Sequence, residues 1–210
     1  MIPLIEEGAT VLFQGDSITD AGRWRSDEGN MGQGYAMIAS ALFGALYPER
    51  RVRFLNRGIS GDRVKDLRAR WELDCLELRP NWVSILIGVN DTWRRFDQNE
   101  ETRLEVFTQV YRTLLEDIKG RLDAKVILCE PFVLPSQPQY VQWREDLDPK
   151  IQAVRELARE FDALLVPFDG LFAQACERRE AGYWGADGVH PSSEGHALMA
   201  RSWLRVVKAL

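Results

Sequence analysis

Thr10-Val11-Leu12-Phe13-Gln14-Gly15-Asp16-Ser17-Ile18-Thr19 is the stretch whose reading decides the fold. Its first five residues are the short, β-branched and aromatic run of a strand buried on both faces. Gly15-Asp16-Ser17 then ends the run and sets a serine where the strand stops. In open parallel sheets that edge, the carboxyl ends of the strands, is where ligands bind.

The same pattern recurs along the chain. Strands are expected at Val52–Asn56, Trp82–Ile87, Lys125–Cys129 and Leu164–Pro167 as well as Thr10–Gln14. Longer amphipathic patterns predict helices at Gly34–Leu46, Arg63–Leu73, Glu101–Gly120 and Asp146–Phe161, a short one at Asp169–Glu177, and a last one at Ser193–Val207. Five strands alternating with helices imply an α/β fold, a parallel sheet covered on both faces. With no repeat and no linker-like composition, residues 1–210 are expected to form a single domain.

Composition narrows the function. A net charge of -5 lacks the basic footprint of a nucleic-acid binder. No apolar run approaches the roughly 20 residues that span a bilayer. Met1 to Thr10 has neither the basic start nor the apolar centre of a signal peptide. The cysteines, Cys75, Cys129 and Cys176, are odd in number and far apart, which fits neither a disulfide framework nor a zinc site. The expected setting is the cytoplasm, with no membrane or nucleic-acid partner, no metal and no cofactor; a homo-oligomer is compatible with the composition.

Three polar clusters fall on expected strand ends: Gly15-Asp16-Ser17, Asn56-Arg57-Gly58-Ile59-Ser60-Gly61-Asp62 and Gly88-Val89-Asn90-Asp91. A fourth element is Asp187-Gly188-Val189-His190. A serine with an aspartate and a histidine supplies the nucleophile, the base and the group that orients the base in acyl transfer. The chain has two histidines, and His196 lies inside a predicted helix, which favours a structural role. Taken singly, each position has a plainer reading. Ser17 or Asp16 can cap a helix, Asp187 can start a turn ahead of Pro191, and Gly61 and Asn90 suit turns. Glycine and asparagine are equally what an oxyanion hole needs, a closely approaching N–H and a side-chain amide donor. Thr19 stands where the nucleophile elbow of α/β-hydrolases requires glycine, so that architecture is excluded.

Together, Gly15-Asp16-Ser17, Gly61 within Asn56-x-Gly58-x-Ser60-Gly61, Gly88-x-Asn90-Asp91 and Asp187-x-x-His190 resemble, in order and separation, the four blocks of the SGNH (GDSL-type) hydrolases. That resemblance implies a flavodoxin-like three-layer fold. It also implies Ser17 as nucleophile, His190 as base, Asp187 as its orienter, and the Ser17 N–H, Gly61 N–H and Asn90 amide as oxyanion donors. The run from Asn56 to Leu67 with Arg70-Trp71, the run Gly88 to Arg94, and Trp184 are most similar to bacterial intracellular acetylxylan esterases. The implied substrate is a small-molecule acyl ester or acetylated saccharide, with Trp93 and Trp184 as substrate-binding residues. Other activities of the same family, lysophospholipase, thioesterase or arylesterase, are the alternative. A flavodoxin-like binding module without catalysis is disfavoured, because no glycine-rich dinucleotide fingerprint or P-loop follows a strand.

Overall fold

The computed structural model describes residues 2–210. Strands β1 (Thr10–Gly15), β2 (Arg53–Asn56), β3 (Trp82–Leu86), β4 (Lys125–Cys129) and β5 (Leu164–Val166) form one sheet in the order β2-β1-β3-β4-β5. Every pairing is parallel. The expected α/β class is therefore observed, and each predicted strand is present to within a residue or two at its ends.

Strand order reverses at β1, which pairs with β2 on one side and β3 on the other. A crevice opens at such a switch point. Gly15 at the end of β1 is in register with Leu86 at the end of β3. The segments that follow these strands, one carrying Ser17 and the other Asn90, are thereby delivered side by side.

The helices are α1 (Ser17–Asp20), α2 (Tyr35–Leu46), α3 (Val64–Ala69), α4 (Val89–Asp97), α5 (Leu104–Arg121), α6 (Gln139–Glu160), α7 (Phe168–Cys176), α8 (Ala181–Trp184) and α9 (Ser193–Val206). Strand alternation divides the core between the two faces. Val11 and Phe13 pack with Tyr35 and Phe43 of α2 and Met199 and Trp203 of α9. Leu12, Val83 and Ile85 face Leu67 of α3, Tyr111 and Leu114 of α5, and Val154 and Leu157 of α6. Each such side chain, fully buried, contributes about 1.5–3 kcal/mol relative to exposure. Ser84, a buried polar residue of β3, accepts the indole N–H of Trp203 at 3.0 Å, so that donor is satisfied.

Three helical expectations need correction. The pattern at Arg63–Leu73 resolves into α3 and a separate π-helical turn at Glu72–Leu76. Residues 89–97, read as a polar strand-end cluster and its sequel, are helix α4. Finally, α6 starts at Gln139 instead of Asp146 and carries Pro149 in its interior. That proline forgoes one helical hydrogen bond; burial of Tyr140, Trp143, Leu147 and Ile151 along one stripe holds the helix through it.

Candidate active site

Asp16 caps α1: its Oδ1 accepts the Ile18 N–H at 3.0 Å. That cap frees the next residue, Ser17, to turn its hydroxyl outward. Burial pushes the Asp16 carboxyl up to about 7 against the pull of the Ile18 N–H, and the nearby Asp91 and Asp62 charges raise it further. Its other oxygen is buried without a partner.

The loop after β2 is fastened to this turn at several points. Asn56 Nδ2 donates to the Thr19 carbonyl at 2.6 Å, and Asp20 accepts the Ser60 N–H at 3.0 Å. Arg70 reaches from beyond α3 to Asp62 Oδ2 at 2.7 Å and to the Gly15 carbonyl at 3.2 Å. Gly61 sits at the loop's apex with φ +88, in the left-handed region that glycine enters without a Cβ penalty. A wide chain separation is thus closed by buried polar bonds at the end of β1.

Asn90 comes to the same place from β3. It lies in the first turn of α4, buried, and its Nδ2 donates to the Asp62 carbonyl at 3.1 Å. An amide nitrogen carries two hydrogens, so one remains for a second acceptor. Asp91 turns the other way: its Oδ2 accepts the Val64 N–H at 3.0 Å. Burial pushes Asp91 up to about 7, opposed by the bond from the Val64 N–H and by the nearby Thr102 hydroxyl.

The loop before α9 supplies the remaining residues. Ser17 Oγ and His190 Nε2 are 2.8 Å apart, and His190 Nδ1 lies 2.6 Å from Asp187 Oδ2. Asp187 Oδ1 also accepts the backbone N–H groups of Val189 at 3.0 Å and His190 at 2.7 Å. Burial works against the Asp187 carboxylate, but the bonds from the His190 ring, the His190 N–H and the Val189 N–H outweigh it and hold the group below the ordinary carboxylate range. The Asp187 and His190 side chains are 50% and 43% exposed, so the row of three opens directly to solvent. Chemically, it can pass a proton from a hydroxyl to an imidazole whose charge a carboxylate then stabilises.

His196 stands apart. Its Nδ1 accepts the Tyr35 N–H at 3.1 Å, satisfying the first turn of α2, where Gly34 offers no side-chain cap. Burial, with the neighbouring His190, lowers it to about 4.

The two tryptophans differ in placement. The Trp93 ring lies 6.1 Å from the His190 ring and is backed by Trp143 at 5.7 Å. The indole N–H of Trp184 donates to the Ala175 and Arg179 carbonyls at 3.1 and 3.2 Å, which lays that ring over the end of α7. Trp184 serves the histidine loop through its carbonyl, which accepts the Ser192 N–H at 2.8 Å. Two residues missing from the sequence reading, Tyr140 and Trp143, belong to the early turns of α6. Their signal was the i, i+3 spacing that continues into Leu147 and Ile151.

Among the described residues, no group of three or more His, Cys, Asp or Glu side chains is disposed to hold a metal. Nor is any helix among them long and apolar enough to cross a membrane.

Known proteins resemble this chain over nearly its whole length. The model of the GDSL-like lipase/acylhydrolase family matches residues 13–198. The chain is 36% identical over 211 residues to the acetylxylan esterase of Geobacillus stearothermophilus, covering 97% of this chain and 95% of that one. The crystal structure of that esterase superposes with a TM-score of 0.91, covering 97% and 96% of the two chains. Its solved forms include catalytic mutants, one serine to alanine and one histidine to alanine. A GDSL-like lipase structure from Parabacteroides merdae gives a TM-score of 0.94 at 35% identity over 98% of each chain. The thioesterase 1/protease 1/lysophospholipase L1 of Escherichia coli is 28% identical over 93% of this chain and 81% of its own. The chain belongs to the GDSL-like lipase/acylhydrolase family.

Proposed function

We propose that this protein is a serine esterase that removes short acyl groups, acetyl foremost, from acetylated saccharides such as xylo-oligosaccharides. The observation that carries the reading is the unbroken row Ser17 Oγ, His190 Nε2, His190 Nδ1 and Asp187 Oδ2, with contacts of 2.8 and 2.6 Å. In this scheme Ser17 attacks the acyl carbon while His190 takes its proton at Nε2, and Asp187 steadies the imidazolium. The negative charge on the former carbonyl oxygen is met by the Ser17 N–H, the Gly61 N–H and the second hydrogen of Asn90 Nδ2. Collapse breaks the bond to the sugar oxygen, which takes the proton from His190 and departs as a hydroxyl, leaving Ser17 acylated. Water, deprotonated by the same imidazole, then attacks the acyl carbon, and collapse breaks its bond to Ser17 Oγ, which takes the proton back from His190 as the carboxylic acid leaves.

The choice of acetyl saccharide rests on the 36% identity to the Geobacillus acetylxylan esterase and on Trp93, a large ring beside the imidazole that leaves short acyl groups the better fit. We further infer that the chain works as one domain, in the cytoplasm, on imported oligosaccharides. The Escherichia coli thioesterase/lysophospholipase supports a second reading, longer acyl groups on the same machinery. Rates on acetyl and octanoyl p-nitrophenyl esters, followed by acetate release from acetylated xylo-oligosaccharides, separate the two. Faster octanoyl turnover with no acetate released would put the second reading first.

A further inference from the structure

Asp187 and His190 lie in a loop, and their contact with Ser17 is only as good as the hold on that loop. Beyond the Ser192 bond to Trp184, the backbone at Asp187 and Gly188 is gripped by the β4–α6 connection and the opening turn of α6. The Leu134 N–H donates to the Gly188 carbonyl at 2.7 Å. The Tyr140 hydroxyl donates to the Asp187 carbonyl. Gly188 has φ +80, and a Cβ there would stand 2.3 Å from Tyr140 Cε2 and 2.7 Å from Ser136 Oγ, so the Tyr140 ring fills the space against the loop.

Tyr140 is only 6% exposed, and its hydroxyl is spent on this one carbonyl instead of on solvent. Burial and the neighbouring Asp187 charge raise its phenol above its ordinary value, which keeps it a donor. Its ring packs on Trp143 at 4.7 Å, Trp143 on Trp93 at 5.7 Å, and Trp93 lies beside the His190 ring. One turn of α6 therefore reaches the row twice, at the backbone of Asp187 by a hydrogen bond and at the imidazole through a relay of edge-on and tilted ring contacts that passes through Trp93 of α4. A side chain present only to fill the core would need the ring and not the hydroxyl.

We propose that Tyr140 is a positioning residue for the acid–base loop, its hydroxyl fixing Asp187 so that Oδ2 meets His190 Nδ1; the kinetic consequence rests on the acyl-transfer reading above. Tyr140→Phe removes the hydroxyl and keeps the ring. Steady-state kinetics on an acetyl ester should show kcat lowered about three- to tenfold, the worth of one such bond, with KM held within about twofold. The low-field proton resonance of His190 Nδ1–H against Asp187, identified by its loss in His190→Ala, should shift or broaden. A melting temperature within a few degrees of the parent's shows that the fold survives loss of the hydroxyl, and the resonance is read on the same sample. Unchanged kcat in folded Tyr140→Phe, or a fall in kcat with the resonance unmoved, overturns the proposal. Failure of the esterase reading is a separate result, undiminished hydrolysis by Ser17→Ala, because the resonance reports the Asp187–His190 bond without any turnover.

Discussion

Asp91 accepts the backbone N–H of Val64 at 3.0 Å, so the helix that begins around Asn90 and the loop that carries Gly61 share a buried bond. With the Asn90–Asp62 contact, two consecutive residues of α4 grip the segment from Asp62 to Val64. Two of the three segments that carry proposed oxyanion donors are thereby fixed relative to each other before any substrate arrives, which is what makes such donors effective.

Stability should record the cost of that grip. Asp91 is fully buried, its Oδ1 has no partner, and burial moves it from 3.8 to about 7. A carboxyl raised in this way binds its proton more tightly folded than unfolded. Its contribution is complete below the unfolded value, is lost as pH rises through about 7, and is level above that. Asp91→Asn keeps an acceptor for Val64 and abolishes the titration. Thermal melts across that window should therefore show the variant gaining on the parent as pH rises, by an amount on the order of a few kcal/mol. A stability difference that does not change with pH would mean Asp91 is already ionised in the fold.

Ser17→Ala and His190→Ala should each remove most esterase activity from a folded protein. Since both belong to one proton-transfer unit, the double variant should be little worse than either single one. Near-additive losses would show that the two act separately. His196→Ala should instead lower the melting temperature, because its imidazole satisfies the first turn of α2. Every group in the scheme comes from this chain, so dialysis against EDTA should leave the rate unchanged.

Asn90→Ala should lower kcat by roughly 100- to 1000-fold and leave KM nearly as it was, since the amide would meet charge that exists only in the transition state. An effect confined to KM would assign Asn90 to ground-state binding.

How much of this was legible in the residues differs from element to element. The strands were, because residues such as Val11 to Phe13 are buried on both faces and carry their own composition signal. The strand ends were legible too, since Gly15, Gly61 and Asn90 are turn residues that chemistry also uses. Helix α4 was not. Asn90, Asp91, Arg94 and Arg95 make the segment polar, and the helical signal is confined to Val89, Trp93 and Phe96 at i, i+4 and i+7. The start of α6 was hidden by Pro138 beside it and by Pro149 within it. Tyr140 was lost with that start. A bond from its hydroxyl to a backbone carbonyl 47 residues away leaves no trace in local spacing. Trp184 was visible as a ring near Asp187, but sequence proximity cannot say that its indole turns to α7.

Helix α6 also carries a buried ion pair whose removal should be costly. Lys150, 1% exposed, bonds to Asp146, which also accepts Thr92 Oγ1 at 2.7 Å and Arg95 Nη1 at 2.9 Å, two residues of α4. Burial opposes the Asp146 charge, yet Lys150, Thr92 and Arg95 together hold it below the ordinary range. Asp146→Ala would leave Lys150 buried and unpaired and should destabilise by about 3–5 kcal/mol in chemical denaturation. Replacing both as Asp146→Leu and Lys150→Met should recover much of that loss. Equal losses in the single and double variants would show that packing, and not the charge, sets the cost.

Trp93 offers the sharpest check on substrate size. Its ring stands beside the imidazole, with Trp143 behind it and the Arg94 guanidinium 5.3 Å from its centre. Trp93→Ala should open the wall and raise the ratio of octanoyl to acetyl ester turnover by roughly tenfold or more, given about 1–3 kcal/mol of discrimination for each methylene in an apolar pocket. Trp184→Ala is the contrast. It breaks the bonds to the Ala175 and Arg179 carbonyls and should lower thermal stability while the acyl ratio stays put. If the ratio moves in Trp184→Ala and not in Trp93→Ala, the acyl group lies on the other side of the imidazole. If both esters slow equally in Trp93→Ala, the ring supports His190 without shaping specificity, and the preference for short acyl groups must come from another wall of the crevice.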